Sequence, residues 1–393
     1  MPIAHRAAGV YRPCAGWRTG GDAAPAGICP CRAGSEGLKA IRTQRDSRRR
    51  RQDDGGGAAP PRAKHVLVAG VAGFLGSHLA ALLLAQGHRV TVLDTMQTGH
   101  QENLRELAGH ARFRFIRHDV CEAYEESPAL DEVYNLACPA SPQPDQADPV
   151  HTMLTNVLGA HKLLRLAARH DAHFLQASPS EVHGDTEQHP QQEDDRRHVS
   201  STGPRACLDE GKRAAESLRF DNLRLGRVNA RVVRSFNTYG PPMRADDGRI
   251  VSNFVCQALA GQKLTIHGSG EQTRSLGYVS DLIRSLVALM EMPVNPAAPI
   301  NLGNPNEPSI REIAELVLRL TGSRSGLELH PLPVDDPRRR CPEMGRAEAL
   351  LGWRPDLALE AGRRPGAWPP RCPARRGRGP PRRPGRRRGM STD

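Results

Sequence analysis

The chain has 393 residues, 55 Lys+Arg against 43 Asp+Glu, 4% aromatic side chains and a mean hydropathy of −0.54, enough length for one large core or two to three domains. Its charge is uneven: residues 1–64 carry 13 Lys+Arg against 5 Asp+Glu (net +8), residues 363–393 carry 11 Arg against one Asp (net +10), and the middle is left at about −6. The basic balance therefore belongs to two tails around a mildly acidic body, and the longest apolar run, LAALLLA at 79–85, is far too short for a membrane span.

The first 63 residues, with SRRRRQDDGGGAAPP near their end, read as a disordered basic segment, and no apolar h-region marks a signal peptide. From Lys64 the pattern changes. HVLVAG (65–70) is a β-rich run, SHLAALLLAQGH suits a helix, and RVTVLD (89–94) is a second strand. RFRFIRHDV (112–120), EVYNLA (132–137), HFLQAS (173–178) and NARVVRSFN (229–237) read as further strands. A long helix is expected over 148–170, with Pro149 near its start, and another over 207–225. Strands alternating with helices predict an α/β fold, a Rossmann-like doubly wound parallel sheet over 64–240. Beyond Tyr239 the pattern loosens. RIVSNFVCQALAGQ and SIREIAELVLRLTG read as helices and KLTIHG and INLG as short strands, a smaller C-terminal substrate-binding domain over 241–362. Residues 363–393 have no periodicity and many prolines, a second disordered basic tail.

Nine cysteines in no framework spacing fit a reducing compartment, and a cytoplasmic location is expected. No second Cys or His pair answers Cys29-Pro-Cys31, so no metal is expected. The Arg-rich tails suit anionic surfaces in general. Without aromatic interleaving or a recognised fold, they name no specific nucleic-acid partner.

Gly70, Gly73 and Gly76 form G-x-x-G-x-x-G between the first strand and the helix, and Asp94 closes the second strand 18 residues past Gly76. That context puts a pyrophosphate at a helix N-terminus, where unpaired N–H groups and the dipole favour negative charge. The acid accepts ribose hydroxyls and favours NAD over NADP. The alternative is a tight turn with glycines for packing alone.

GVAGFLGSHLA, RFIRHDV, YNLACPASP, TNVLGAHKLL, GPRACLDEGKRAAE, RSFNTYGPPM, DDGRIVSNFVCQAL, GSGEQTRSLGYVSDL and INLGNPNE together closely resemble the UDP-glucuronate decarboxylases, extended short-chain dehydrogenase/reductases that make UDP-xylose. The resemblance runs from about residue 64 to 360. It implies NAD as cofactor, UDP-glucuronate as substrate, UDP-xylose as product, and a homodimer built on the helices at 151–170 and 207–225. The implied chemistry oxidises the sugar C4 hydroxyl, loses CO2 from the resulting β-keto acid, and returns the hydride. The implied cofactor positions are Gly70, Gly73, Phe74, Leu75, Gly76, Asp94, Asp119, Val120, Leu136, Ala137, Thr155 and Lys212. The implied substrate positions are Asn237, Asn253, Gln272, Arg274 and Arg340, and the implied catalytic positions are Glu181, Lys212 and Arg340.

Two catalytic positions depart from that pattern. The tyrosine that would deprotonate the C4 hydroxyl, four residues before Lys212, is Leu208, and the threonine that would hold the same hydroxyl is Pro179. The five tyrosines, at 11, 124, 134, 239 and 278, include none with Lys four residues on. Ser178, Ser180, His183 and Cys207 are the nearby groups that could stand in. The loop 195–201 and Pro242 also differ from the family. Three readings follow: a decarboxylase of impaired turnover, an inactive paralogue that binds NAD and a UDP-sugar, and a protein whose basic tails carry its interactions.

Overall fold

Strand β1 (His65–Ala69) is buried at every position, as a central strand of a parallel sheet covered on both faces requires. Its alternate side chains feed two different cores. Val66 and Val68 join a layer with Leu79, Leu83 and Val90, whereas Leu67 and Ala69 join one with Val133, Leu163 and Phe174. In this computed structural model the described residues are 62–126, 128–185, 188–195, 198–241, 243–244, 248–331 and 339–356. The segments 1–61 and 357–393, which hold nearly all of both expected basic tails, lie outside them.

From β1 the chain runs through helix α1 (Phe74–Ala85), β2 (Arg89–Asp94), β3 (Phe113–Arg117) and β4 (Glu132–Asn135). It continues through α2 (Pro142–Ala147), α3 (Pro149–Leu154), α4 (Ala160–Arg169), β5 (His173–Pro179), α5 (Ala206–Arg224) and β6 (Ala230–Ser235). With β10 (Pro299–Leu302) on its outer edge, the sheet has seven parallel strands in the order β10-β6-β5-β4-β1-β2-β3. The order reverses between β1 and β4, the switch point at which such sheets open a ligand crevice.

The expected long helix over 148–170 is present but interrupted. Between α3 and α4, Thr155–Gly159 forms a π-helical turn. Gly159 there lies so close to the β3–β4 connection that a Cβ would stand 2.6 Å from Val120 Cγ2. Such turns recur beside functional sites, and Thr155 opens this one onto the cleft described below.

Past β6 come β7 (Thr238–Tyr239), α6 (Ile250–Leu259), β8 (Leu264–His267), β9 (Gly277–Tyr278), α7 (Val279–Glu291), β10 (Pro299–Leu302), α8 (Ile310–Thr321), β11 (Leu327–His330) and α9 (Gly345–Leu351). The pairs β7–β9 and β8–β11, with α6 and α8, enclose a separate small core around Phe254, Leu264, Ile266 and Ile313. Helix α8 opens with a capping box in which Ser309 and Glu312 satisfy each other's backbone N–H groups. Strand β10, from INLG, pairs with β6 and completes the main sheet, and α7 packs on the layer that holds Val66 and Val68.

Candidate active site

A cleft of about 530 Å³ opens at the carboxyl ends of β1, β2, β4 and β5. All twelve positions expected to hold the cofactor line it: Gly70, Gly73, Phe74, Leu75, Gly76, Asp94, Asp119, Val120, Leu136, Ala137, Thr155 and Lys212. Two glycines are there for space. Gly70 has φ +85°, and a Cβ on it would lie 2.7 Å from the Leu136 carbonyl carbon. A Cβ on Gly76 would stand 2.3 Å from Gly70 O. The turn is a cradle that side chains would fill.

Asp94 closes β2 with both carboxylate oxygens engaged, one by the Ala72 N–H at 2.8 Å and the other by the Met96 N–H at 2.7 Å. Each oxygen keeps a lone pair for a ligand hydroxyl. Burial raises the Asp94 carboxyl, and the two N–H groups pull it back. Farther along the wall Asp119 accepts the Cys121 N–H at 2.8 Å and meets His151 Nε2 at 2.8 Å. These bonds hold its carboxyl below the usual range although burial works the other way. With the glycine cradle and this acid, the residues fit NAD.

At the other end of the cleft lie Ala177, Ser178, Pro179, Lys212 and Ser235. Lys212 is buried on α5, and its Nζ donates to Ala177 O at 3.0 Å. Burial holds the ammonium below its ordinary range, against the opposing pull of Cys138 and Glu216. Pro179 ends β5 on the cleft wall, where it offers no hydroxyl. Leu208 is fully buried and does not line the cleft. Among the groups weighed as stand-ins, Cys207 turns its thiol to Asp145 O at 3.5 Å. Ser180 donates to Glu181 Oε2 at 3.0 Å. His183 is buried against Phe236 and meets Asn301 Oδ1 at 3.2 Å. Ser178 alone of these lines the cleft, and its buried Oγ makes no hydrogen bond.

Glu181 and Arg340, 159 residues apart, form an ion pair of 2.8 Å. Burial alone would raise the Glu181 carboxyl, but the guanidinium groups of Arg340 and Arg205 hold it at about 2. Neither residue lines the cleft. Sequence reasoning missed the groups around them. Arg205, at the N-terminus of α5, reaches Asp145 at 3.2 Å and Glu181 at 3.8 Å. Asp209 beside Leu208 is pushed up to about 7 by burial and by the Glu181 and Asp145 charges, against the pull of Arg205 and Arg340. Arg205 and Asp209 belong to the stretch GPRACLDEGKR, so their presence was visible in the sequence. Asp145 carries no local signal.

The four positions expected only to bind substrate do not line the cleft. Three of them spend side-chain bonds on their own segments: Asn253 Nδ2 donates to Gly248 O at 3.1 Å, Gln272 Oε1 accepts from Gly270 N at 3.0 Å, and Arg274 Nη1 donates to Thr273 O at 2.8 Å. Backbone bonds nevertheless gather Asn237, Arg274 and Arg340 in one region. Gly277 N donates to Asn237 O at 2.9 Å, and Ser275 N donates to Arg340 O at 2.9 Å. Of the other departures from the family pattern, Pro242 and two residues of the 195–201 loop, 196 and 197, lie outside the described residues. Among the described residues, no helix is long and apolar enough to cross a membrane.

The model of the NAD dependent epimerase/dehydratase family matches residues 66–303. UDP-glucuronic acid decarboxylase 1 of Danio rerio is 48% identical over 300 residues, which span 76% of this chain and 71% of that protein. UDP-glucuronic acid decarboxylase 1 of Arabidopsis thaliana is 46% identical over 300 residues, 76% of this chain and 67% of that protein. Among solved structures, UDP-glucuronic acid 4-epimerase from Bacillus cereus in complex with UDP-glucuronic acid and NAD superposes with a TM-score of 0.66 at 26% identity, covering 76% of this chain and 96% of the other. UDP-glucose 4-epimerase from Thermotoga maritima gives 0.69 at 26% identity over 76% and 96%.

Proposed function

This chain belongs to the NAD-dependent epimerase/dehydratase family, in company with the UDP-glucuronic acid decarboxylases, and from that premise we propose that it acts on UDP-glucuronate, with a turnover impaired at two positions. The observation that carries the reading is the convergence of every expected cofactor position, Lys212 included, on one cleft, in a chain 48% identical to a named decarboxylase. NAD, when bound, supplies a hydride acceptor and donor for the sugar C4. The glycine turn and Asp94 are proposed to hold it, and Asn237, Asn253, Gln272, Arg274 and Arg340 to hold the UDP-sugar.

The residues divide the remaining work unevenly. Lys212 brings a buried positive charge to the cleft wall, suited to stabilising a deprotonated oxygen beside it. Glu181 stays ionised at neutral pH, so it serves as an acceptor or an electrostatic partner and not as an acid. What the corner lacks is a proton acceptor for the C4 hydroxyl, because Leu208 and Pro179 offer none. The loss of a general base lowers rate by ~10²–10⁴, and Ser178, an unactivated hydroxyl, does not replace one.

A specific observation favours a second reading as well. With Leu208 buried away from the cleft, the protein would hold NAD and a UDP-sugar without turnover. We further propose the homodimer. On the helix implied for that interface, Val150 and Leu154 of α3 are four residues apart and leave 69% and 45% of their surfaces exposed, apolar side chains suited to a second copy. The deciding experiment incubates the full chain with NAD and UDP-glucuronate and follows CO2 and UDP-xylose, with NAD and UDP-glucuronate affinity measured by calorimetry. Slow product formation supports the first reading, binding without product supports the second, and absence of both ligands' binding rejects the two together.

A further inference from the structure

Away from the cleft, three distant segments bring an imidazole, a carboxylate and a thiol to one point. His189, Glu307 and Cys341 each offer one ligating atom, and these atoms all lie within 4.8 Å of one another. We propose that the trio is a zinc site, completed by a solvent molecule, that fastens the segment bearing Arg340 to the loops at 189 and 307.

The donors are already oriented. His189 Nε2 stands 2.9 Å from Glu307 Oε2. The other oxygen, Oε1, accepts the Thr273 hydroxyl at 2.5 Å, which aims Oε2 at the imidazole. Gln191 grips Cys341 twice: its side-chain oxygen accepts the Cys341 N–H at 2.7 Å, and its own N–H donates to Cys341 O at 2.8 Å. Outer contacts of this kind orient metal ligands in general. The Cys341 thiol is free and buried, 3.3 Å from Pro305 O, whereas His189 is exposed and gives an ion a path from solvent.

Thiolate, imidazole and carboxylate together make a tetrahedral zinc donor set, and the sulfur selects against magnesium and calcium. On binding, the Cys341 proton leaves to solvent, and the two charges of the ion offset the thiolate and the Glu307 carboxylate. The other trio among the described residues, Asp119, Cys121 and His151, is a poorer choice. Asp119 and His151 line the cofactor cleft, and an ion there would compete with the nucleotide.

The test uses the full chain, stripped with chelator and retitrated with Zn2+ against a chromophoric competitor, then with Co2+ to read the thiolate-to-metal charge-transfer band. We expect the band in the wild type and in Cys29→Ser/Cys31→Ser and Cys121→Ser, and its complete loss in Cys341→Ser. His189→Ala should weaken zinc by more than the ~10–100-fold that an outer-shell partner is worth. Zinc should raise the thermal midpoint of the wild type and leave that of Cys341→Ser unmoved. Far-UV circular dichroism checks each fold. If Cys341→Ser does not fold, Glu307→Gln is read in its place, with the same loss of tight zinc binding expected. Failure of the wild type to bind zinc, a band that survives Cys341→Ser, or its loss in Cys29→Ser/Cys31→Ser would overturn the site. None of these readouts depends on turnover of UDP-glucuronate.

Discussion

The two ends of the cleft have met substitution very differently. At the glycine end every position expected of a dinucleotide site lines the wall, from Gly70 through Asp94 to Thr155. At the sugar end the wall keeps Lys212, but Pro179 stands where a hydroxyl is expected and Leu208 has withdrawn into the core. The difference follows from what each end asks of its residues. The glycine end needs space and backbone N–H groups, and the Cβ distances at Gly70 and Gly76 leave no room for other side chains. The other end is proposed to need particular functional groups, and an apolar Leu208 satisfies the core without supplying one. On the proposed reading, the cleft keeps its binding wall while the groups for proton transfer are missing from it.

The strongest way to break that contrast is to restore the sugar end. Leu208→Tyr with Pro179→Thr should raise the rate of UDP-xylose formation by ~10²–10⁴, about 3–5 kcal/mol of barrier. Because Leu208 is fully buried, the larger ring is expected to cost roughly 1–3 kcal/mol of stability, visible in denaturant melts. A double variant that binds NAD yet remains silent would move the fault to the loop 195–201.

The reverse experiment damages the glycine end. Gly76→Ala places a Cβ 2.3 Å from Gly70 O and 2.6 Å from Val71 Cα, both backbone atoms that cannot swing aside. A forced shift of roughly 3 kcal/mol corresponds to about 10²-fold weaker NAD by calorimetry. Gly109→Ala, whose Cβ meets nothing within 4 Å, should leave NAD affinity unchanged. Equal behaviour of the two variants would mean that the turn has room to spare and that the contrast between the ends is false.

The Glu181–Arg340 ion pair makes a prediction about acid. Glu181 is held at about 2 against an ordinary 4.5, with burial opposing and Arg340 and Arg205 imposing the shift. A carboxyl lowered on folding stabilises above its unfolded pKa, and that contribution fades as pH falls from about 4.5 toward 2. Arg340→Ala should therefore cost about 2–3 kcal/mol at pH 7 and flatten the fall in stability between pH 5 and pH 2.5. Urea titrations of the two proteins at several pH values measure both effects. An unchanged slope in Arg340→Ala would leave Arg205 as the partner that matters.

Much of this was legible in the sequence, for reasons that are local. HVLVA and RVTVLD announce buried parallel strands by composition alone, and the glycines and Asp94 lie within 25 residues of one another, so that motif and cleft are nearly the same statement. The absent hydroxyls at 179 and 208 were equally plain. What stayed hidden depends on partners remote in sequence. INLG reads as a strand, but nothing in four buried residues says that it pairs with β6 and not with a neighbour in the smaller core. The π-helical turn brings Gly159 close to Val120, and no periodicity in the helix itself encodes it. The Asp145–Arg205–Glu181 network joins three segments whose charges, read singly, look like ordinary surface residues.

The smallest effect tests how finely the glycine end is specified. Asp94 gives one lone pair on each oxygen to a backbone N–H, so its charge shapes the turn and, on the proposed reading, also meets the ribose. Asp94→Asn keeps one acceptor and loses the charge, and its amide group cannot accept the second N–H. NAD affinity should fall by about tenfold or less, the worth of roughly one hydrogen bond. NADP should gain relative to NAD, because a 2′-phosphate no longer meets a carboxylate. Arg244 assists that gain, since it lines the same cleft with its Nη1 donating to Thr98 O at 3.1 Å. The shift in the NAD/NADP ratio of dissociation constants is the quantity to measure, because a merely loosened turn lowers both affinities together. If the ratio stays fixed, Asp94 serves the turn alone, and cofactor choice rests on the backbone around it.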